Sequence, residues 1–319
     1  MRLYAHADRV GMPRVGVLVN GELLTGGQLA KFEPRRAPWS QTMFFPGNQV
    51  TVPGWREALE RTVQRAVKAK ARRRDPDSRR PLPAVWLPEK IVCIGRNYAD
   101  HVREGGREIP DRPVVFAKFP NTIIADGESI VQPPGTHALD LEVELGVVIG
   151  RRARRVAHED AMGHVAGYVV VNDVSARDWQ GNQQALAEGQ KGDGQWLRAK
   201  GSDTFLPVGP VLVTPDEVDP AHGLRLRSWL IRDGEETLMQ DGNTRDLLFD
   251  VPHLVSLVSQ EITLEAGDLL ITGTPAGVGV FRNPPIFLRP GDRVRCEVEG
   301  IGSVENPIVD WTEDPRRGA

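Results

Sequence analysis

The residues with the clearest capacity for chemistry are acids spaced for one face of a strand. In Asp140-Leu141-Glu142-Val143-Glu144-Leu145 the two-residue period of a strand turns Glu142 and Glu144 to one side and Leu141, Val143 and Leu145 to the other. Two carboxylates held that close repel, and a divalent cation removes the cost. Val147-Val148-Ile149 then carries the strand into a core. The pattern also fits an ordinary half-exposed strand with a solvated polar face. A third acid, Asp173, closes the run Gly167-Tyr168-Val169-Val170-Val171-Asn172; it could join the pair or simply cap a following helix.

Other side chains suggest proton transfer and anion binding. His101 and Glu104 stand three apart in residues 96–106, a stretch that reads as a short helix stopped by glycine, which puts them on one face. A carboxylate that orients an imidazole and fixes its tautomer is the arrangement needed by a general base acting on water, although such pairs are also common surface ion pairs. If Asp173–Gln180 is helical, Arg177 and Gln180 share its face and offer a planar fork and an amide to an acidic substrate. Lys200 follows a glycine-rich stretch, 188–194, and could position an anion or move a proton.

The elements that must position these groups can be read in outline. Asn20-Gly21 is a two-residue hairpin turn within an alternating N-terminal stretch, which predicts a small β-rich unit. Residues 27–53 are irregular. Trp55–Arg80 carries ten Lys/Arg against four acids with Leu59, Val63, Ala66 and Val67 at helical spacing, predicting an amphipathic helix and linker that ends at prolines 81 and 83. No aromatic residues interleave its charges, so a solvated helix face fits better than nucleic-acid or membrane binding. The main domain then opens with Ile91–Gly95, a buried strand. The division is therefore 1–87, a small N-terminal domain with basic helix and linker, and 88–319, a catalytic domain. Further strands are expected at 114–117, 123–124, 224–231 and 268–272, and a helix at 247–263. Thr272-Gly273-Thr274-Pro275-Ala276-Gly277-Val278-Gly279 fits neither the dinucleotide nor the P-loop fingerprint and suits close backbone approach to a ligand.

Composition excludes several classes. A net charge of -3 over 319 residues, with 40% hydrophobic and 26% charged, gives no basic footprint for nucleic acid. No apolar run approaches the roughly 20 residues that cross a bilayer. The two cysteines, Cys93 and Cys296, have no metal or redox spacing and read as buried thiols in a reducing compartment. The first residues lack the apolar core of a secretory signal, so a cytoplasmic location is expected.

Four blocks in register, Gly95-Arg96-Asn97-Tyr98-Ala99-Asp100-His101, Glu142-Val143-Glu144-Leu145, Asn172-Asp173-Val174-Ser175-Ala176-Arg177-Asp178 and Thr272–Gly279, resemble the fumarylacetoacetate hydrolase family over roughly residues 88 to 311. The resemblance implies an α+β, mainly β fold, with a mixed β-roll catalytic domain and a homodimer. It implies Mg²⁺ or Mn²⁺ held by Glu142, Glu144 and Asp173, and a water-activating dyad of His101 and Glu104. Lys200 would be a catalytic lysine, and Arg96, Arg177, Gln180 and Thr274 substrate contacts. Two departures stand out: a longer glycine-rich insertion before Lys200, and Gly201 where many members carry serine.

Three carboxylates without thiolate or imidazole select a hard, octahedral cation with open positions for substrate oxygens. The expected reaction is hydrolysis of a C–C bond in an acylpyruvate or related 1,3-diketo acid through a metal-stabilised enolate. His101 would activate the water, Lys200 and Arg177 would hold the substrate carboxylate, and donors near Thr274 would meet the oxyanion. Decarboxylation or keto–enol isomerisation of a 2-oxo diacid on the same site is the alternative. A catalytically inactive keto-acid-binding homologue is a third reading.

Overall fold

A computed structural model describes residues 1–32, 54–192 and 194–316. Most of the irregular reading for 27–53, and Asp193 of the glycine-rich stretch, fall outside those residues. The architecture is α+β and mainly β. A nine-stranded sheet runs, in spatial order, Glu22–Leu24, Pro13–Val19, Arg2–Ala7, Val211–Val213, Val165–Asn172, Val143–Ile149, Leu269–Ile271, Ile91–Gly95 and Val114–Lys118. A five-stranded sheet is built around the hairpin Arg225–Arg232/Glu235–Asn243, whose Asp233-Gly234 turn has φ of 54° and 84° at its two residues. Both positive values match the left-handed turn that suits strand twist.

The Val143–Ile149 strand lies in the middle of the large sheet and is buried on both faces. Val143, Leu145, Val147 and Ile149 pack with Tyr168, Leu226, Cys296 and the Val251–Glu261 helix. The opposite face, through Val148, Val169 and Leu269, packs with Leu3, Val15 and Leu59 from the N-terminal residues. The N-terminal hairpin therefore extends the main sheet, Arg2–Tyr4 pairing antiparallel with Val213–Val211, and shares its core. The basic helix runs Trp55–Lys68, ending just before the expected breaker at residues 72–76, and buries Trp55, Leu59, Thr62 and Ala66.

Register places the chemistry. Val143 pairs with Asn172 and Glu144 with Val171, so Asp173 emerges beside Glu142, its backbone N–H donating to the Glu142 carbonyl at 2.9 Å. Leu269–Ile271 runs antiparallel to the acid strand and parallel to Ile91–Gly95. The segments following those two strands, Thr272–Thr274 and Arg96–His101, consequently leave the sheet at the same end. Asp173 is not a helix cap. A short strand, Ser175–Ala176, intervenes, and the helix is confined to Arg177–Gln180 with Ala176 as its N-cap. Strand pairing with Leu139–Asp140 takes the backbone groups that a longer helix would have used.

Close approach of neighbouring strands leaves no room for a side chain at Gly167, where a Cβ would lie 2.5 Å from the Val213 carbonyl oxygen and 2.6 Å from Leu212 Cδ2. Gly167→Ala should cost about 1–3 kcal/mol by forcing the two strands apart. Thermal unfolding would register this as a lowered Tm, and an unchanged Tm would contradict the packing described.

Candidate active site

Glu142, Glu144 and Asp173 are buried, and one carboxylate oxygen from each lies within 4.8 Å of the others. The half-exposed reading of this strand is therefore replaced by full burial. Three cations balance the cluster. Lys200 Nζ bridges Glu142 Oε2 and Asp173 Oδ2, both at 2.7 Å. Arg177 Nη2 donates to Glu142 Oε1 at 2.6 Å, its Nε to Asp140 Oδ2 at 2.8 Å, and its Nη1 to Gln180 Oε1 at 3.1 Å. Lys118 Nζ spends its donors on the carbonyls of Val174, Lys200 and Phe205 at 3.1, 2.5 and 2.7 Å. It also lies 2.8 Å from Asp173 Oδ1, an oxygen that receives no hydrogen bond.

These surroundings separate the ionisation of the acids. Burial, reinforced by the charges of Asp173 and Glu142, pushes Glu144 well above the usual carboxylate range; its one neutral donor is the Gly273 N–H at 2.5 Å. Burial acts the same way on Glu142, but Arg177 and Lys200 outweigh it and hold that carboxyl well below its ordinary value. Lys200 is raised because Asp173 and Glu142 overcome burial. Burial lowers Lys118, which has one acid and three neutral carbonyls for company.

The imidazole–carboxylate pair forms as expected. His101 Nδ1 and Glu104 Oε1 are 2.7 Å apart on the Ala99–Glu104 helix, which Gly105 ends. Glu104 is fixed in turn by the Gly277 N–H at 2.9 Å, and the Phe281 ring tilts against His101 with centroids 5.9 Å apart. One cleft is lined by His101, Glu142, Glu144, Lys200, Thr274 and Arg177, together with Arg96 and Gln180. Glu104 and Asp173 stand behind this lining, each bonded to a group that faces it. Thr274 is committed to structure: its hydroxyl donates to the Val143 carbonyl at 2.9 Å and accepts from Gln240 Nε2 at 2.7 Å.

Lys118, Asp140 and Gln240 are site residues that sequence reasoning missed. Lys118 had a signal, since it stands in phase with the inward Val114 and Phe116 of its strand. Asp140 holds Arg177 and accepts from the N–H groups of Gly279 and Val280 at 2.7 and 3.0 Å, a tertiary contact that the sequence does not announce. Gln240 sits in the second sheet and had no signal.

The donor set fits a divalent cation. All three acids offer oxygen, the hard donor preferred by Mg²⁺ and Mn²⁺. Asp173 Oδ1 is buried without a hydrogen bond, and Glu144 carries the electrostatic cost that a cation would relieve. A mixed β-fold with a buried triad of acids beside an oriented imidazole defines a candidate metal-dependent acid–base enzyme. The fumarylacetoacetate (FAA) hydrolase C-terminal domain profile matches residues 90–309, and the chain belongs to that family. Oxaloacetate tautomerase FAHD2B, mitochondrial, of Bos taurus is 47% identical over 228 residues, 72% of this chain and 69% of the relative. The Homo sapiens protein of that activity, FAHD2A, is 44% identical over the same length. Among solved structures, fumarylacetoacetate hydrolase from psychrophilic Exiguobacterium antarcticum superposes with a TM-score of 0.77 at 33% identity, covering 97% of this chain and 99% of that one. The 2-hydroxyhepta-2,4-diene-1,7-dioate isomerase of Mycobacterium marinum gives 0.70 at 32%, covering 98% and 100%. No helix among the described residues is long and apolar enough to cross a membrane.

Because the native metal-free protein holds the Glu144 proton more tightly than the unfolded chain does, this group's contribution to stability falls as pH rises above about 4.5, through the native-state value. A cation needs the ionised form, so Mg²⁺ binding should be accompanied by proton release that grows as pH falls toward and below the native-state value. Calorimetric titrations in buffers of different ionisation enthalpy count it. Proton-neutral binding, or release that persists in Glu144→Gln, would contradict this account of the site.

Proposed function

We propose that the chain is a metal-dependent keto–enol tautomerase of a small 2-oxo acid of the oxaloacetate kind. The supporting observation is the meeting in one cleft of a carboxylate triad suited to a hard cation and an imidazole oriented by a carboxylate. The relatives named for oxaloacetate tautomerisation, and the structural neighbour named as an isomerase, favour this reading over C–C hydrolysis. Mg²⁺ or Mn²⁺ would be held by Glu142, Glu144 and Asp173, and would supply positive charge that favours the enolate form of a 2-oxo acid.

The chain's own groups carry the proton. Glu104 fixes the His101 tautomer through Nδ1, which leaves Nε2 to accept a proton from the enol hydroxyl and deliver one to the neighbouring carbon. Neither water nor a leaving group is consumed. Lys200 and Arg177 hold Glu142 and Asp173 in place, and their charge favours an anionic substrate in the cleft. Phe281, tilted against His101, and Trp196 line the cleft and limit solvent around the transferred proton.

A second reading, hydrolysis of an acylpyruvate, is favoured by the same dyad, since His101 backed by Glu104 could equally draw a proton from water. Assays separate the two. The wild type should accelerate ketonisation of enol-oxaloacetate in a metal-dependent way and leave acetylpyruvate uncleaved, and His101→Ala should lose roughly 10²-fold or more. Faster cleavage of acetylpyruvate to acetate and pyruvate than ketonisation would replace the tautomerase assignment with the hydrolase one.

A further inference from the structure

The chain leaves the acid strand at Ile149 and returns as Val165–Asn172, and the connection between them carries four arginines, Arg151, Arg152, Arg154 and Arg155. Ala153, which interrupts them, is buried and fixes the frame by exchanging two backbone hydrogen bonds with Leu264, at 2.8 and 2.9 Å. The Arg155 N–H donates to the Ser259 carbonyl at 2.7 Å and the Val156 N–H to Ser259 Oγ at 3.0 Å, so the connection is tied to the Val251–Glu261 helix. Arg155 has φ of 53°, a left-handed conformation that a side-chain-bearing residue adopts only when its surroundings impose it, as these bonds do. At the return, the Gly150 N–H closes onto the His164 carbonyl at 2.7 Å. All four arginines and His164 line one recess of about 720 Å³.

Little on the protein answers that charge. Arg152 reaches Glu265 at 3.2 Å, but among the described residues Arg151, Arg154 and Arg155 make no ion pair. Glu159 and Asp160 also line the recess, and neither is paired with a guanidinium there. His164 orients one of the unpaired groups. Its Nδ1 lies 3.2 Å from the Arg151 carbonyl and its Nε2 3.4 Å from Arg151 Nη2; with Nδ1 donating to the carbonyl, Nε2 accepts from the guanidinium. Four guanidinium groups on one recess offer forked donors to a compact, multiply charged anion, and phosphoryl oxygens match such forks several at a time. No Phe, Tyr or Trp lines the recess, so it has no platform on which a nucleobase would stack. Glu159 and Asp160 would repel a polymer whose charge runs on past the arginines.

We infer that this recess binds a small polyphosphate, either the pyrophosphate ion or the diphosphate of a larger metabolite, through Arg151, Arg152, Arg154 and Arg155. The site stands apart from the proposed reaction. Arg151 lies about 20 Å from Glu144, beyond the opposite end of the strand that carries the acids. No residue of the recess lines the cleft that holds His101.

Titration calorimetry with sodium pyrophosphate, at low ionic strength and without added metal, should show one ion bound per chain. Arg154→Gln with Arg155→Gln should weaken it about 10-fold or more, Arg154→Lys by no more than about 3-fold, and Glu144→Gln, in the acid cluster, not at all. Circular dichroism checks that each variant folds, and Arg154→Gln alone, at an exposed side chain, serves if the double variant does not. Citrate and vesicles containing phosphatidylglycerol are the competing ligands. The site would be overturned by any of four results: no pyrophosphate bound at millimolar concentration, binding undiminished in the arginine-to-glutamine variants, citrate held as tightly as pyrophosphate, or vesicles bound where pyrophosphate is not.

Discussion

The structure depends on a charge balance sealed inside a sheet. Four acids, Asp140, Glu142, Glu144 and Asp173, are buried around three cations, Lys118, Lys200 and Arg177. Isolated buried charges are costly, and pairs this close are retained only when geometry and extra hydrogen bonds satisfy them. Here Lys118 and Arg177 are tied to backbone or amide oxygens as well as to carboxylates, and Lys200 bridges two carboxylates. The bookkeeping still leaves one negative group in excess, Glu144, whose carboxyl is forced toward its neutral form. A divalent ion held by Glu142, Glu144 and Asp173 would favour the ionised form of Glu144, which makes the fold and the proposed chemistry parts of one electrostatic problem.

The sheet solves the positional half of the problem. Pairing of Val143–Ile149 with Val165–Asn172 fixes two of the acids against the third to within the register of a single ladder, and a one-residue slip would send Glu144 into the apolar face occupied by Val143 and Leu145. The neighbouring parallel pair delivers the imidazole helix and the Thr272–Gly279 loop to the same edge. Gly277 and Gly273 then reach back to hold Glu104 and Glu144 through their N–H groups, so the loop secures both the proton-transfer pair and the acid cluster.

Much of this was legible in the sequence because it is local. The period-two placement of Glu142 and Glu144, the three-residue spacing of His101 and Glu104, and the hairpin at Asn20-Gly21 each need only nearby residues to be read. The α+β, mainly β class was implied by the family resemblance of the four motif blocks. What escaped was set by partners far along the chain. Asp173 read equally well as a helix cap until its pairing with the Glu142 segment was known. Lys118 lay just beyond the expected strand 114–117, although its phase pointed inward. Asp140 and Gln240 carry no local pattern, because their work is to join loops and sheets that meet only in the folded molecule. The hydrolase and tautomerase readings share every residue of the site, so local sequence patterns alone could not divide them.

Manganese titration followed by electron paramagnetic resonance tests the central claim most directly, since bound Mn²⁺ loses the signal of the free ion. One tightly held ion per chain, lost in both Glu144→Gln and Asp173→Asn variants that still fold, is the predicted result. A free-ion signal undiminished at millimolar manganese, or an ion bound equally well by both variants, would contradict the account.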